Sequence, residues 1–470
     1  MRHIYIRELE PYSESKIRDV LGINKTIFNQ LRDYVRIDRK KEGYHFKFVG
    51  IILIDDLVIN FYPKYIPNED NISNDFKTVL KSIKKYNDLY EESYYANEEL
   101  EDISSNLFSL MLFFIEDYYE NGVYTNIQNT LEINGNGEIY WDKTINGTYP
   151  LIKNNKPYYM ELHTRHKIDD IYNYFRLLHE CIITECTKRL EEADLLEYFD
   201  LTPVELSDIS LEDFGDYDYI LNRLEKELNM EFNTHKQKLL KSMHAYVSNK
   251  NSWDDENSLT LYGTGSYHVI WEDMCSKVFS NKLDDELGEL IENCKDYNFN
   301  SLENLIAKCK KYDAESIKDL IKKPIWKSKD GFSKEAEKTF IPDIVTCYGG
   351  DFIILDAKYY NLTFEKDQKL EGQPGIESIS KQYFYELAYK SFIKDMGFGV
   401  KNAFLFPSYD KEIDNKGYVE LEMLSGLDLD LQKIQIIMLP ANKIHEKYLE
   451  GNEIKISKLK LNQDTYIDCD

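Results

Sequence analysis

Two aspartates and a lysine stand in an order that could hydrolyse a phosphodiester. Asp343 lies within FIPDIVT, and Asp356 ends the apolar run FIIL in DFIILDAKYY, two residues before Lys358. The Gly349-Gly350 turn between these segments predicts an antiparallel hairpin, which brings both aspartates to one end of a sheet. Two neighbouring carboxylates repel each other unless a cation lies between them, and Mg²⁺ prefers oxygen ligands of this kind. The spacing therefore predicts a magnesium site, in which Mn²⁺ could substitute.

Lys358 is predicted to share a strand face with Asp356, because alternate residues of a strand point to the same side. An ammonium group there can orient the attacking water and stabilise the charge that develops on a phosphate. Short acid-x-Lys strings also occur by chance in a lysine-rich chain. However, an ionised group within an apolar strand is costly to bury unless it is paired or used, which favours catalysis.

Composition limits the classes of protein to which this chain could belong. The net charge of −26 argues against a protein that holds DNA alone through a basic surface. Hydrophobic residues make up 42% of the chain, which excludes wholesale disorder. None of the seven cysteines forms a CxxC pair, and no apolar run is long enough to cross a membrane. We therefore expect a cytoplasmic protein without a membrane partner.

The pattern of elements predicts a multidomain protein of the α+β and α/β classes. Residues 1–130 are predicted to form an N-terminal α+β domain: two short helices separated by a glycine precede the strands HFKFVGIILI and LVINFYPKYI. This domain is either winged-helix-like or, by our preferred interpretation, a docking domain. Residues 131–255 are predicted to be mainly helical, and residues 256–470 to form a catalytic domain.

The predicted elements of the catalytic domain alternate between helices and strands. A helix over 268–279 and a helical insert over 283–323 precede strand-like PIWKS and the hairpin of the two aspartates. A helix at SISKQYFYELAYKSFI, the strands NAFLFPS and IQIIMLP, and a closing helix follow. This order predicts a mixed sheet flanked by helices.

The string IPDIVTCYGGDFIILDAKYY resembles the signature of the PD-(D/E)xK nuclease superfamily, whose core is a mixed sheet between helices. The resemblance implies a carboxylate on the preceding helix, for which Glu272 is the first choice and Asp273 the second. It also implies the backbone carbonyl of Ala357 as a metal ligand and a polar residue, Gln382, on the helix after the lysine. A solvent-facing helix position is the alternative for Glu272.

The helix that carries Gln382 has a second feature. Gln382, Glu386 and Tyr389 fall on one helix face at this spacing. Tyr385 and Tyr389 are predicted to be core residues rather than site residues.

The strand pair ending FYPKY, the string GEIYWDKTI and the nuclease signature together resemble the LlaJI family of restriction endonucleases, which is similar to the McrC subunit of McrBC-type systems. The resemblance implies double-stranded DNA as substrate, a role in antiviral defence, and a separate McrB-like AAA+ GTPase or ATPase as partner. The sequence has no G-x-x-x-x-G-K-[ST] loop of its own, which agrees with this division of labour.

Two alternative functions and one further basic region remain open. The chain could be a stand-alone restriction or repair nuclease, or a non-catalytic regulator of an AAA+ partner. Between Lys318 and Lys338, seven lysines stand against four acidic residues, and they could neutralise DNA phosphates near the cut. An ordinary solvated segment is the alternative interpretation of this region.

Overall fold

A computed structural model describes residues 1–54, 56–67, 72–95, 107–170, 172–251, 259–294, 309–312, 314–366, 368–424 and 429–461. The chain forms two compact units. The first comprises Met1–His3, Ile52–Val58 and Asn97–Tyr262, and the second comprises Ile4–Ile51, Ile59–Ala96 and Gly263–Asp470. The predicted boundary at residues 255 and 256 and the middle of the predicted 283–323 insert lie outside the described residues.

The strands are short and spread along the whole chain. They are β1 (Arg2–Arg7), β2 (Arg36–Lys40), β3 (Gly43–Lys47), β4 (Val49–Ile54), β5 (Leu57–Tyr62), β6 (Ile127–Ile133), β7 (Glu138–Ile139), β8 (Leu151–Lys153), β9 (Lys156–Tyr158), β10 (His163–Asp169), β11 (Leu259–Thr264), β12 (Ile325–Lys327), β13 (Ser333–Glu335), β14 (Ile344–Tyr348), β15 (Asp351–Ala357), β16 (Gly399–Ser408), β17 (Asp414–Val419) and β18 (Ile434–Pro440).

The helices alternate with these strands. They are α1 (Lys25–Tyr34), α2 (Ile72–Tyr95), α3 (Leu107–Asn121), α4 (Trp141–Gly147), α5 (Tyr174–Glu192), α6 (Tyr217–Leu228), α7 (Thr234–Asn251), α8 (Tyr267–Val278), α9 (Leu287–Cys294), α10 (Ile376–Met396) and α11 (Ala441–Glu450). Within the described residues, no helix is both long and apolar enough to cross a membrane.

The central sheet of the second unit has the strand order β14-β15-β16-β18-β17. The β14–β15 and β17–β18 pairs are antiparallel, whereas β15–β16 and β16–β18 are parallel. This confirms the predicted mixed sheet. The edge strand β17 was not predicted, because its sequence DNKGYV has no apolar alternation and its side chains are only partly buried.

Two predicted features of this unit need correction. The strand-like PIWKS lies outside the central sheet, because β12 pairs only with β13 in a separate hairpin. All side chains of β12 are exposed, so its apolar residues pack against no sheet. The predicted strand FIPDIVT begins only at Ile344, so Asp343 lies just outside the ladder.

Helix α10 covers one side of the central sheet. Its aromatic side chains pack on strand β15, with the rings of Phe352 and Tyr389 5.1 Å apart between centroids. Tyr385 and Tyr389 are fully buried in this cluster, which confirms that they belong to the core. The helix ends at Gly397, whose φ of 65° is a left-handed conformation that glycine adopts without strain.

The first unit combines helices with small sheets. Helices α5, α6 and α7 lie within residues 131–255, which were predicted to be mainly helical, and α3 precedes that segment. Strands β6, β10 and β7 form a three-stranded sheet, and β8 and β9 form a hairpin. These strands were not all predicted, because most of them are short and β8 and β9 are exposed on every residue.

Candidate active site

The candidate site begins at a two-glycine turn. Gly349 and Gly350 have φ values of 61° and 89°, and two successive positive φ angles give the hairpin turn that matches strand twist. The turn fixes the β14–β15 register, which ends at the pair Ile344 and Leu355. One step further along this register, Asp343 lies opposite Asp356, as the sequence predicted.

A backbone hydrogen bond orients the first aspartate. The amide of Ala357 donates to Oδ2 of Asp343 over 2.9 Å. Asp343 is partly buried, and burial together with the negative charge of Asp356 raises the pKa of Asp343 well above its ordinary value. A raised pKa of this origin means that the two carboxylates repel each other within the folded protein.

Lys358 pairs with the second aspartate. Its Nζ atom lies 2.5 Å from Oδ2 of Asp356, whose side chain is only 3% exposed. The backbone amide of Lys358 donates to the carbonyl of Leu405 on β16 over 2.8 Å, which fixes the chain beyond the end of β15. Burial lowers the pKa of Lys358, but the carboxylates of Asp356, Asp343 and Glu272 outweigh it, so the pKa is raised. Lys358 is therefore an ammonium ion at neutral pH.

Glu272 on α8 belongs electrostatically to the same site. Burial raises its pKa, Asp356 raises it further, and Lys358 and Lys381 oppose this effect. The neighbouring Asp273 has other partners, because it accepts a hydrogen bond of 2.8 Å from Tyr448 and one of 3.0 Å from Lys277. Glu272 is thus the α8 carboxylate whose charge interacts with the aspartate–lysine pair.

Gln382 lies behind the strand that carries Asp356. Its Nε2 donates to Oδ1 of Asn402 over 2.6 Å and to the carbonyl of Ile354 over 3.4 Å. Asn402 in turn donates to Glu386, whose two oxygens also accept the amide of Gln432. Burial raises the pKa of Glu386 to about 7. The structure therefore brings Gln382 to β15, although not into hydrogen-bond contact with either aspartate.

Two residues that the sequence did not indicate hold the Asp343 segment. Asn281, just after α8, donates to the carbonyl of Asp343 over 3.2 Å and accepts from the amide of Val345 over 3.0 Å. Tyr385 donates to the carbonyl of Ile341 over 2.7 Å. No sequence signal could have identified Asn281, because it lies more than sixty residues before its partners.

The donor set fits a hard divalent cation. Two carboxylates that repel each other across a hairpin are oxygen ligands that such ions use together with several waters, and the family resemblance adds the backbone carbonyl of Ala357. Within the described residues, no group of three or more Asp, Glu, His or Cys residues is placed to hold a metal ion by protein ligands alone. A cation here would therefore retain part of its water shell.

Comparison with known proteins identifies the family. The family model of the LlaJI restriction endonuclease matches residues 48–317 and 308–442. The type II restriction enzyme BsuMI component YdjA of Bacillus subtilis (strain 168) is 26% identical over 464 residues, which cover 96% of this chain and 90% of that protein.

Two solved structures give weaker matches. A half-complex from a tetradecameric assembly of Thermococcus gammatolerans McrB AAA+ hexamers with bound McrC is 12% identical, with a TM-score of 0.34 over 96% of this chain and 99% of that chain. The cryo-EM structure of the Thermococcus gammatolerans McrBC complex is 15% identical, with a TM-score of 0.21 over 52% of this chain and 79% of that chain. Both TM-scores are low, so the assignment rests on the family model. The chain belongs to the LlaJI restriction endonuclease family and is thus a restriction-system nuclease.

Proposed function

We propose that this protein is the metal-dependent endonuclease subunit of a restriction system and cuts double-stranded DNA by phosphodiester hydrolysis. One observation carries the proposal: Asp343 and Asp356 face each other at the end of a hairpin, with Lys358 at 2.5 Å from Asp356. Asp343, Asp356 and the Ala357 carbonyl would hold Mg²⁺, or Mn²⁺ in its place, and Glu272 would contribute through the water shell of the ion. When bound, the cation supplies Lewis-acid polarisation of the phosphodiester.

Lys358, Asp356 and Gln382 have different roles in the proposed reaction. Lys358 carries a positive charge at neutral pH, so it stabilises the negative charge on the phosphate rather than accepting a proton. Asp356 holds this ammonium in place. Gln382 supports the strand from behind through Ile354, and we keep it as a residue of the proposed site.

We further propose that a McrB-like AAA+ NTPase is the partner. An exposed apolar surface in the first unit supports this part of the proposal. It lies on α4, the β8–β9 hairpin and the adjoining loops, and its side chains are 51% to 96% exposed. We call it the apolar patch and define it as Trp141, Tyr149, Leu151, Ile152, Tyr158 and Met160.

Such a surface favours a protein partner. Contiguous exposed apolar side chains are uncommon on monomers and typically mark interaction sites. The net charge of −26 supports the same division of labour, because a partner would then supply most of the affinity for DNA.

A cleavage assay tests the proposal. Purified protein is incubated with supercoiled plasmid DNA and Mg²⁺ or Mn²⁺, with and without the candidate AAA+ protein and a nucleoside triphosphate. Cleavage that requires the cation and the partner supports the proposal. Specific cleavage by this chain alone would favour a stand-alone nuclease. Stimulation of the partner without any cleavage would favour a non-catalytic regulator.

A further inference from the structure

In the second unit, backbone hydrogen bonds from the end of β1 connect two segments that each carry a lysine. The amide of Glu8 donates to the carbonyl of Tyr62 over 2.9 Å, and the next amide donates to the carbonyl of Phe46 over 2.9 Å. Lys64 follows the first of these acceptors by two residues, and Lys47 directly follows the second. One strand end therefore holds both lysines in the same region of the unit.

A glycine loop places the start of α8 beside Lys47. A Cβ atom on Gly263 would lie 2.3 Å from the carbonyl oxygen of Val49, and one on Gly265 would lie 3.5 Å from the carbonyl oxygen of Lys47. The loop thus lies directly against the backbone of β3 and β4. The first turn of α8 follows at once and carries His268, one helical turn before Glu272.

Lys64 connects this region to the catalytic strand. Its Nζ lies 4.1 Å from the ring centroid of Tyr359 and 5.8 Å from that of Tyr360. Tyr359 directly follows Lys358, and its hydroxyl donates to Oε2 of Glu8 over 2.5 Å. The same buried glutamate therefore anchors both the lysine-bearing segment and the chain next to the catalytic lysine.

The basic side chains of this region remain accessible. His268 is exposed, and Lys47 and Lys64 are partly exposed. Burial, then the charges of Lys47 and Lys64, lowers the pKa of His268, so its ring is neutral at neutral pH and can still donate a hydrogen bond. The charge of Glu8 attracts both lysines, but its buried carboxyl already accepts the hydroxyl of Tyr359, so the exposed parts of Lys47 and Lys64 beside His268 can still bind an anion.

We propose that Lys47, Lys64 and His268, which we call the basic cluster, bind a backbone phosphate of DNA next to the phosphodiester that is cut. The inference rests on the proposed nuclease function, because it assigns the substrate contact of the same site. Lys64 contacts the ring of Tyr359, which directly follows Lys358, and His268 lies one turn before Glu272 on α8. The cluster would therefore offset the negative charge of the catalytic carboxylates where the DNA strand passes.

The test measures DNA binding by the full-length protein. A fluorescently labelled DNA duplex is titrated at several low salt concentrations without divalent cation, so that no cleavage occurs. We expect Lys47→Gln to weaken binding and to reduce the slope of log affinity against log salt by about 1, the effect of one lost phosphate contact. His268→Gln should weaken binding with an unchanged slope, because the ring is neutral.

Controls separate this site from general charge effects. Lys41→Gln changes an exposed lysine in the turn between β2 and β3 and should bind like the wild type. Thermal unfolding checks that Lys64→Gln, which also loses the ring contact, remains folded. In cleavage assays over a range of DNA concentrations, Lys47→Gln should raise KM by a larger factor than it lowers kcat.

Each outcome decides the inference. A wild-type salt slope and affinity for Lys47→Gln would overturn it, and the proposed function would stand if Asp343→Ala still binds DNA but does not cut it. Equal losses in the Lys41→Gln control would also overturn it, because the effect would then be one of net charge. Absence of any DNA binding or cleavage by the wild type, alone or with its partner, would overturn both.

Discussion

The amide of Ala357 donates a 2.9 Å hydrogen bond to Oδ2 of Asp343. Asp343 lies outside the β14–β15 ladder, so this bond, rather than strand pairing, orients its carboxylate. The same bond keeps the aspartate opposite Asp356, where burial and like charge make the pair unfavourable without a cation. The site is therefore organised before any ligand binds, at a cost in stability of the folded protein.

The two aspartates should be indispensable for cleavage but not for folding. We expect Asp343→Ala and Asp356→Ala to abolish cation-dependent cleavage. Metal-free stability should hold or rise slightly for Asp343→Ala, because burial and the charge of Asp356 disfavour that carboxylate. It should fall for Asp356→Ala, which leaves the ammonium of Lys358 without its partner. Plasmid cleavage and urea unfolding measure these effects. Asp351→Asn, at the other end of β15, is the control and should cut normally; wild-type cleavage by either alanine variant would show that the site is misassigned.

Lys358 should act on the phosphate rather than on the cation. Lys358→Ala is expected to lower the cleavage rate by about 10²–10³-fold, the usual loss when one charge-stabilising donor is removed. Cation binding, measured by the shift in thermal unfolding with added Mn²⁺, should change little. Lys358→Arg should restore little activity, because the guanidinium is larger and planar. Lys369→Ala in an exposed loop serves as the control. Full activity of Lys358→Ala would remove the lysine from the mechanism.

The effect of Gln382 on cleavage can be distinguished from its effect on stability by comparison with Asn402, its hydrogen-bond partner. Gln382→Ala and Asn402→Ala each leave a buried polar group without its partner, which costs about 1–3 kcal/mol of stability. If Gln382 also serves the site, its variant should lose clearly more cleavage activity than Asn402→Ala at a similar loss of stability. Unfolding and cleavage measured on both variants compare the two effects. Equal losses of activity would assign Gln382 a purely structural role.

Glu386 should give the folded protein a pH dependence that does not involve the cation. Burial raises its pKa from 4.5 to about 7 in the folded state. The folded protein therefore holds this proton more tightly than the unfolded chain. The resulting stabilisation is complete below pH 4.5 and is lost as the pH rises through 7. In urea unfolding with a chelator, Glu386→Gln should make the wild-type decline over that range shallower, and the raised pKa values of Asp343 and Glu272 account for the decline that remains. An unchanged pH profile would contradict the assignment.

The apolar patch should matter for the partner and not for the fold. We expect Tyr149→Asp or Ile152→Asp to lower stimulation of the AAA+ partner's nucleotide hydrolysis by at least about tenfold, since a charge buried in an interface costs several kcal/mol. Thermal unfolding should be unchanged, because both side chains are exposed by 68% or more. Phe232→Asp, equally exposed outside the patch, is the matched control. Undiminished stimulation by the patch variants would exclude this surface as the docking site.

The sequence by itself determined the hairpin of the candidate site. Apolar strands, a two-glycine turn and fixed spacing are local features, and they suffice to bring Asp343, Asp356 and Lys358 together. The helix of Glu272 and the mixed sheet followed from the order of elements for the same reason. The edge strand β17 was not predicted because a polar, only partly buried strand carries no hydrophobic pattern.

Only the tertiary structure decided which distant residues serve the site. Asn281 holds the segment of Asp343, and Glu8 at the end of β1 accepts the hydroxyl of Tyr359 beside Lys358. The N-terminal strands lie mostly in the same compact unit as the central sheet. Such contacts depend on how remote segments pack, and packing between segments leaves no periodic trace in the residues that make it.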